Sequence, residues 1–524
     1  MSETPANFFK VKPWIHQDET FETCKDRDFY GLFYEMGTGK TATAINIVRW
    51  KYALAKRVLR TLILAPVAVV HQWAEEWYLF GGERYDEDEV HPVHGSTKQS
   101  KMNRIKAHKG HIFIINHDAL KVVDLFEWMF NFKPEIIIVD ESHKFKNHSV
   151  KRTKKLHELV EGKFFIEKEK MIAGKLRRRR LLTHRQDPIN YRFILTGSPI
   201  LNSPCDIWAQ FKILNNQIFN DNFVQFRGQY MINKNANAPV DFPDWKPKPE
   251  CYENLNNVIY QFADRVLKED CLDLPPFMRI KSHVELTKEE KKHYGEMKVK
   301  FITFLEEELE ENGPAMTAPI AMVKGLRLTQ ILCGLFVSDE PDEKGNRDVT
   351  RIPTNRYKVL EDHLETITPQ SKVIVWSVFA DTYPDIHKAF KNVGLKYHFD
   401  PDRKKNDRYF TQLTGKQSQK QKVAAIKALQ DDPLCRGMLA NQKAGGTGVN
   451  LTQASYSIYV TWDFSLEHHI QSEARNYRGG SDIHEKITRI DLVVPNSIQD
   501  YMLDALHDKQ DMSEAILKMK EKLK

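Results

Sequence analysis

Short apolar runs alternate with polar, helix-length segments along most of this chain. In the first half the runs are TLILAP (Thr61 to Pro66), HIFIIN (His111 to Asn116), EIIIVD (Glu135 to Asp140) and RFILTG (Arg192 to Gly197). A second set, KVIVWS, KYHF, GMLANQ, SYSIYVTW and TRIDLVV, lies between Lys372 and Val494. Apolar strands separated by helices indicate a parallel sheet that is covered on both faces. The pattern therefore predicts an α/β protein with two parallel-sheet domains in tandem.

The region between the two sets has a different character. It contains the proline clusters APVDFPDWKPKP and DLPP and a charged, helix-like tract from Thr287 to Glu311. We predict an N-terminal domain over residues 1–235, a linker and helical projection over 236–350, a second α/β domain over 351–497 and a C-terminal helix over 498–524. The stretch MVKGLRLTQILCGLF is expected to pack back on one core.

Composition narrows the class of protein. The 524 residues, 41% of them apolar, are enough for more than one hydrophobic core. The longest apolar run, Thr61 to Val70, is too short for a membrane span, and MSETPANFFK has no secretory pattern. Six dispersed cysteines without a CxxC pair favour a reducing compartment and no structural zinc. We expect a cytoplasmic protein with no membrane role.

The positive charge of the chain is local. The whole chain is +7, but residues 151–190 hold 13 Lys/Arg and 5 Asp/Glu, a net of +8, so the remainder is −1. This basic insert contains KLRRRR, and its arginines Arg177, Arg178, Arg179 and Arg180 are candidates for contact with nucleic-acid phosphates. A solvated surface hairpin and a localisation signal remain alternatives at this point.

The stretch LFYEMGTGKTATAI has the chemistry of a phosphate-binding loop. It follows the apolar segment Tyr30 to Tyr34 and precedes a good helix, although Tyr34 stands where the strict pattern has glycine. Backbone amides around Gly37, Thr38 and Gly39 would surround the phosphates. Lys40 would reach the β- and γ-phosphates, and the Thr41 hydroxyl would hold Mg²⁺.

The run EIIIVDESHKFKN supplies the acidic half of such a site. Asp140 and Glu141 follow four apolar residues, which places them at the tip of a buried strand. Asp140 would hold the magnesium ion, and Glu141 would polarise the attacking water. Alone, the pair would be read as surface carboxylates; a phosphate loop a hundred residues upstream favours the catalytic interpretation.

Together, EMGTGKT, DESH with KFKN, and LTGSP resemble motifs I, II and III of the DEAD/DEAH-box helicases (superfamily two). The closest resemblance is to the Swi/Snf-type branch, whose first loop has no leading glycine, and to its compact phage and bacterial members. This resemblance implies two RecA-like domains in tandem. It also implies that Gln17, in KPWIHQ, reads adenine, and that Pro66, in APVAVV, contacts a nucleic-acid backbone.

The resemblance continues in the second half of the chain. ANQKAGGTGVNLTQAS is similar to motif V, which makes Gly445, Gly446 and Thr447 candidates for nucleic-acid contact and Gly448 a candidate for nucleotide contact. QSEARNYRGGS resembles motif VI, which implies that Arg475 and Arg478, three apart on one helix face, stabilise the γ-phosphate. WDFSLEHH and Ser481 depart from the family pattern.

These features predict a DNA translocase that uses ATP and Mg²⁺ and moves on duplex or branched DNA. A strand-separating helicase on DNA or RNA, with the basic insert or the helical projection as its wedge, is the alternative. A nucleotide-dependent binding scaffold that does not hydrolyse ATP is an alternative of another class. The sequence predicts no particular protein partner.

Overall fold

The structure is a computed structural model, and it describes residues 4–5, 7–82, 89–95, 97–172, 175–200, 203–235, 243–271, 273–311, 313–337, 348–443, 449–510 and 512–523. The chain divides into two compact units. The first comprises residues 1–232 and 245–272, and the second comprises residues 233–244 and 273–524.

Parallel strands form the centre of the first unit. Its strands are β1 (Phe29–Tyr34), β2 (Thr61–Ala65), β3 (Val90–Val93), β4 (Ile112–Asn116), β5 (Ile136–Val139), β6 (Lys163–Ile172), β7 (Lys175–Arg185), β8 (Tyr191–Leu195), β9 (Met231–Asn233), β10 (Trp245–Pro247) and β11 (Ala263–Val266). Seven of them form one parallel sheet in the order β11-β1-β8-β5-β2-β4-β3. β6 and β7 form a separate antiparallel hairpin, and β9 pairs with β10.

Helices connect the strands of this sheet. They are α1 (Ile15–Cys24), α2 (Lys40–Ala55), α3 (Val70–Gly81), α4 (Lys98–Ala107), α5 (Val123–Phe132), α6 (Lys151–Val160), α7 (Asp206–Leu214), α8 (Phe223–Tyr230), α9 (Cys251–Ile259) and α10 (Lys268–Cys271). Short 3₁₀ helices follow three strands, at Val67–Val69, His117–Lys121 and Ser142–Phe145. The strands β2, β4 and β5 are buried along their whole length between two apolar clusters.

The second unit is built on the same principle. Its strands are β12 (Phe277–His283), β13 (Leu335–Val337), β14 (Val349–Arg351), β15 (Val373–Trp376), β16 (Lys396–Tyr397), β17 (Tyr409–Leu413), β18 (Cys435–Ala440), β19 (Tyr456–Tyr459) and β20 (Ile487–Val493). Seven form a parallel sheet in the order β12-β20-β19-β15-β18-β17-β16, and β13 pairs with β14.

The helices of the second unit cover this sheet and continue to the end of the chain. They are α11 (Lys288–Glu311), α12 (Gly313–Ile331), α13 (Arg356–Ile367), α14 (Tyr383–Asn392), α15 (Gln419–Asp431), α16 (Leu466–Glu473), α17 (Ile498–His507), α18 (Met512–Leu517) and α19 (Met519–Lys522), with a 3₁₀ helix at Ala380–Thr382. Leu328, Ile331 and Leu332 lie in the core of this unit, as predicted for their stretch. Among the described residues, none of the helices has the length and apolar composition that a membrane span needs.

Arg356 ties several elements of the second unit together. Its guanidinium is fully buried and donates hydrogen bonds to the carbonyl oxygens of Leu332 (2.8 Å), Val460 (2.9 Å) and Leu492 (2.6 Å). A fourth bond goes to Oε1 of Gln499, at 2.9 Å. One buried cation thus satisfies an acceptor after α12, one after β19, one within β20 and one on α17.

These sheets confirm the predicted tandem of two parallel α/β folds with a helical projection and C-terminal helices. The middle region nevertheless contains more β-structure than the sequence predicts. Residues 263–266 and 277–283 form β11 and β12, which lie at one edge of each sheet. One proline cluster precedes β11, the other lies between β11 and β12, and β12 is mostly exposed, so neither strand has the continuous apolar pattern of an inner strand.

Candidate functional site

The predicted ATP-binding residues of the first unit meet at the carboxyl ends of its parallel strands, which we call the ATP-binding edge. In a parallel sheet all strands end on the same side, and β1, β2, β5 and β8 lead directly into the segments that carry the motifs. The phosphate loop follows β1, Pro66 follows β2, and Asp140 follows β5. Thr196 and Gly197 follow β8, where a Cβ on Gly197 would lie 3.3 Å from the Tyr34 carbonyl oxygen.

The phosphate loop has the backbone conformation that its sequence predicts. Gly37 and Gly39 adopt positive φ angles of 90° and 81°. Gly39 is the N-cap of α2, no side-chain hydrogen bond caps that helix start, and its first turn contains no acidic residue. The Thr38 hydroxyl donates to the Glu35 carbonyl oxygen at 2.8 Å, which closes the loop from within. Amides at an uncapped helix start and positive-φ glycines form a concave surface suited to phosphate.

Lys40 and Glu141 form an ion pair across this edge. The Lys40 Nζ donates to Oε1 of Glu141 at 3.2 Å, and the two side chains are only 13% and 8% exposed. The other carboxylate oxygen lies 3.3 Å from Nδ1 of His143. Glu141 itself adopts a left-handed conformation with φ 49° and ψ 52°, which is rare for a residue other than glycine. The surrounding contacts hold the glutamate in this conformation.

Asp140 is a buried carboxylate with two protein donors. The Trp73 Nε1 donates to Oδ2 at 2.9 Å, and the backbone amide of Glu141 donates to Oδ1 at 2.9 Å. Burial raises the pKa of Asp140 to about 6, whereas Lys40 acts in the opposite direction. A carboxylate placed in this way can serve a cation that compensates its burial.

A set of polar contacts fixes the tip of β5, and the sequence analysis assigned these residues no role. The His117 Nε2 donates to the carbonyl oxygens of Asp140 (2.8 Å) and Leu64 (3.3 Å), and burial lowers the pKa of His117 to about 3, so the imidazole is neutral. The Ser142 hydroxyl donates to Oε1 of Gln210 at 2.8 Å. His143 Nδ1 lies 2.9 Å from the Thr196 hydroxyl. Ser142, His143 and Thr196 belong to the motifs DESH and LTGSP, whereas His117 and Gln210 lie outside every motif, so only the folded chain reveals these two.

Gln17 lies beside the phosphate loop, with its amide engaged inside the protein. Its Nε2 donates to the Gly39 carbonyl oxygen at 3.0 Å, and its Oε1 accepts from the Trp14 amide at 2.8 Å. His16 donates from Nε2 to the Thr38 carbonyl oxygen at 2.8 Å. A Cβ on Gly39 would overlap the Gln17 amide nitrogen. These contacts couple α1 to the loop, and adenine recognition by Gln17 stays a prediction.

The two arginines of the second unit do not lie on a helix as expected. α16 ends at Glu473, and both Arg475 and Arg478 lie in the turns that follow it. Arg475 is fully buried, and its Nη1 donates to the Val449 carbonyl oxygen at 3.4 Å. Arg478 is half-buried. The prediction of one shared helix face is therefore wrong, because α16 stops before the first arginine.

The nucleic-acid candidates are described unevenly. Pro66 lies directly after β2 and precedes Val67, whose side chain is 71% exposed. Gly445, Gly446, Thr447 and Gly448 lie outside the described residues. For Arg177, Arg178, Arg179 and Arg180 the backbone forms part of β7, whereas their side chains lie outside the described part.

Comparison with known families places this site in context. The SNF2-related domain matches residues 30–166 and 176–332, together more than half of the chain. The chain belongs to the SNF2-related helicase family. The helicase conserved C-terminal domain matches residues 355–480 as well, so the match extends over both units. This confirms the Swi/Snf-type resemblance.

Relatives of this SNF2-family chain include bacterial and eukaryotic proteins. An uncharacterized ATP-dependent helicase of Mycoplasma genitalium is 24% identical over 93% of this chain and 40% of its own length. Transcription regulatory protein SNF2 of Saccharomyces cerevisiae is 20% identical over 92% of this chain and 26% of its own length. The chain thus spans less than half the length of these relatives. A structure of the Sulfolobus solfataricus SWI2/SNF2 ATPase core in complex with dsDNA is 18% identical, with a TM-score of 0.41 over 99% of this chain and 97% of that one.

Proposed function

We propose that this protein is an ATP-dependent motor that translocates on DNA, duplex or branched. The observation that carries the proposal is the meeting of Lys40, Asp140 and Glu141 at the edge of the first sheet, in a chain of the SNF2-related family. A lysine on a phosphate loop beside two buried carboxylates is the arrangement that phosphoryl transfer from ATP to water requires.

Each residue of this site has a separate role in the proposed hydrolysis. Lys40 would leave Glu141 and bind the β- and γ-phosphates, and the amides from Gly37 to Gly39 would bind the remaining oxygens. Glu141, released from the lysine, would orient the attacking water and accept its proton. His143 would hold the second oxygen of this carboxylate and so restrict its rotation.

The residues present also fit a magnesium ion. Asp140 is a buried carboxylate at a strand tip, and Thr41 stands in the first turn of α2, so both offer the hard oxygen ligands that Mg²⁺ takes. The ion would neutralise charge on the β- and γ-phosphates. Trp73 and the Glu141 amide keep both oxygens of Asp140 in place, which orients the carboxylate for this task.

From the second unit we propose Arg478 as the residue that stabilises charge on the γ-phosphate. Arg475 is fully buried within its own unit, and its main-chain oxygen accepts from the Leu451 amide, so it is better suited to support the loop before it. An arginine in the first role contributes about 10³- to 10⁵-fold in rate. Arg478→Ala should therefore lower the turnover number far more than it lowers nucleotide affinity.

The proposal is tested by a panel of activators of ATP hydrolysis. Duplex DNA, branched DNA, single-stranded DNA and duplex RNA are compared for the full chain, for Lys40→Ala and for Lys358→Ala, an exposed lysine of α13 that serves as a control. We expect stimulation by duplex or branched DNA in the wild type and the control, and none in Lys40→Ala. Displacement of a third strand from a triplex, without separation of the duplex, would report translocation. Stimulation by RNA alone would refute the proposal.

A further inference from the structure

The basic insert leaves the first sheet at the amino-terminal ends of its strands, opposite to the ATP-binding edge. α6 runs back from the end of β5, and β8 starts again beside the start of β5, where the Tyr191 amide donates to the Glu135 carbonyl oxygen at 3.0 Å. The hairpin of β6 and β7 is inserted between α6 and β8. Since Lys40 and Asp140 follow the other ends of the strands, the hairpin begins about one strand length away from them, roughly 15 Å.

The root of this hairpin is fixed to the core. Phe164 is 8% exposed and stacks on Phe126 with ring centroids 5.6 Å apart. The Lys155 Nζ donates to the Phe165 carbonyl oxygen at 3.2 Å, and the Thr183 hydroxyl donates to the Phe164 carbonyl oxygen at 3.1 Å. The direction in which β6 and β7 leave the sheet is therefore set by packing.

The register of the hairpin separates its charged residues into two groups. Glu167 is the cross-strand partner of Arg180, and Glu169 is the partner of Arg178. Successive residues of a strand belong to opposite faces, so these four positions share one face, which we call the balanced face. It contains two acidic and two basic residues and has no net charge.

The intervening positions are all basic. Lys168 is the partner of Arg179, Lys170 is the partner of Arg177, and Lys175 continues the series opposite Ile172. These positions share the other face of the hairpin, which we call the cationic face: Lys168, Lys170, Lys175, Arg177 and Arg179. The excess charge of the insert is therefore concentrated on one of its two faces.

Like charges at directly opposed positions of an antiparallel pair destabilise the pair. At the paired positions of the balanced face the two residues are of opposite sign. The cationic face contains two opposed positions of like sign, so a polyanion bound there would offset their charge. Charges that recur at every second residue are about 6.8 Å apart along the strand, and a two-stranded ribbon fits the major groove of DNA.

We propose that the cationic face binds the phosphate backbone of a nucleic acid, duplex DNA in particular, as a second contact separate from the ATP-binding edge. The inference rests on the proposed function for the identity of the polyanion, but the division into two faces does not depend on it. The family's domain matches residues 30–166 and 176–332, so Lys168, Lys170 and Lys175 lie between the two matched ranges. A contact on the cationic face would hold DNA away from the residues that bind ATP.

Two double variants of equal composition test the assignment. Arg177→Ala/Arg179→Ala alters the cationic face, and Arg178→Ala/Arg180→Ala alters the balanced face with the same loss of charge. Binding of the full chain to a fluorescent 30-base-pair duplex is measured by anisotropy at about 50 to 200 mM salt. Each phosphate contact contributes about 0.9 to the slope of log affinity against log salt, so the first variant should flatten the slope by up to about 1.8. The wild type should then lose about tenfold more affinity over this range than the first variant does, and the second variant should keep the wild-type slope.

Further variants guard against misfolding and against other anions. Arg177→Lys/Arg179→Lys keeps the charges and should keep the slope, and Lys168→Ala/Lys170→Ala, on the other strand of the same face, should flatten it as the first variant does. Thermal unfolding of each variant checks its fold. The proposal would be overturned if Arg177→Ala/Arg179→Ala and Arg178→Ala/Arg180→Ala had equal slopes. It would also be overturned if Arg177→Ala/Arg179→Ala lost binding to anionic phospholipid vesicles but kept the wild-type slope for DNA.

The same samples separate this inference from the proposed function. DNA-stimulated ATP hydrolysis of the wild type is measured in parallel with binding. A face-specific salt slope without stimulated hydrolysis would refute the motor and leave the contact in place. Stimulated hydrolysis with identical slopes in both alanine variants would refute the contact and leave the motor in place.

Discussion

Trp73→Phe should weaken the use of magnesium without removing any residue that touches substrate. The indole nitrogen of Trp73 donates to Oδ2 of the buried Asp140 at 2.9 Å. Phenylalanine keeps an aromatic ring at this place and removes the donor. Asp140 then keeps one protein donor, the Glu141 amide, and one of its oxygens is free to turn away from the ion.

The expected size follows from the hydrogen bond. A hydrogen bond to an ionised group contributes about 1.5 to 3 kcal/mol, and about 1.4 kcal/mol corresponds to a tenfold change in an equilibrium constant. If all of this free energy is lost from the binding of the ion, the Mg²⁺ concentration at half-saturation rises by about tenfold to a hundredfold. Residues that orient a metal ligand usually have effects of this size.

A matched control lies one turn away. Trp77 is also on α3 and fully buried, and its Nε1 has no hydrogen-bond partner among the described residues. Trp77→Phe therefore produces a comparable packing defect and leaves Asp140 untouched. The assay is a Mg²⁺ titration of ATP hydrolysis at fixed ATP for the wild type and both variants. An equal shift in the two variants, or no shift in Trp73→Phe, would refute the role of the indole as a support for Asp140.

Three further outcomes are expected. Glu141→Gln should bind a fluorescent ATP analogue with wild-type affinity and turn over at least a hundredfold more slowly, and unchanged turnover would remove this residue from the role of base. Gly39→Ala should lower nucleotide affinity more than tenfold, because a positive φ of 81° and an overlapping neighbour both oppose a Cβ there, whereas Gly228→Ala, with nothing within 4 Å, should bind normally. Arg356→Met should lower the unfolding free energy of the second unit by at least about 3 kcal/mol in urea denaturation, because four buried acceptors lose their donor and each buried polar group left unsatisfied costs about 1 to 3 kcal/mol, whereas Arg351→Met, with a half-exposed side chain, should cost less than about 1 kcal/mol.

The inner strands of both sheets could be predicted because burial on two faces forces a continuous apolar run. β2, β4 and β5 consist of TLILA, IFIIN and IIIV, and the expected runs exceed them by one or two residues at the ends. β17 is also an inner strand, but its sequence YFTQL contains two polar residues, and the prediction missed it. Edge strands such as β3 and β12 are covered on fewer sides, so their sequences lack this pattern.

The candidate ATP site could be proposed from sequence where a residue's chemistry and its place in a local motif agree. Lys40, Asp140 and Glu141 follow apolar strands and were found from these patterns. The contacts of Trp73 and His117 with Asp140 join residues 67 and 23 positions apart, so only the folded chain brings them together. Every such buried polar contact depends on tertiary packing, which one-dimensional periodicity does not record.

The end of α16 shows a different limit. The spacing of the two arginines suggested one helix face, but the chain turns after Glu473. There the side chain of Asn476 donates to the Ala454 carbonyl oxygen at 3.0 Å and accepts from the Ser457 hydroxyl at 3.1 Å. Contacts with a preceding loop and strand compensate for the helical hydrogen bonds that are given up, and no local propensity predicts this exchange.

The pairing of Lys40 with Glu141 has a consequence for the resting protein. The two groups neutralise each other, and both side chains are largely buried. In the proposed mechanism a triphosphate would replace the carboxylate as partner of the lysine, and the same exchange would set the carboxylate free. Binding of the nucleotide and release of the catalytic base would thus be a single event.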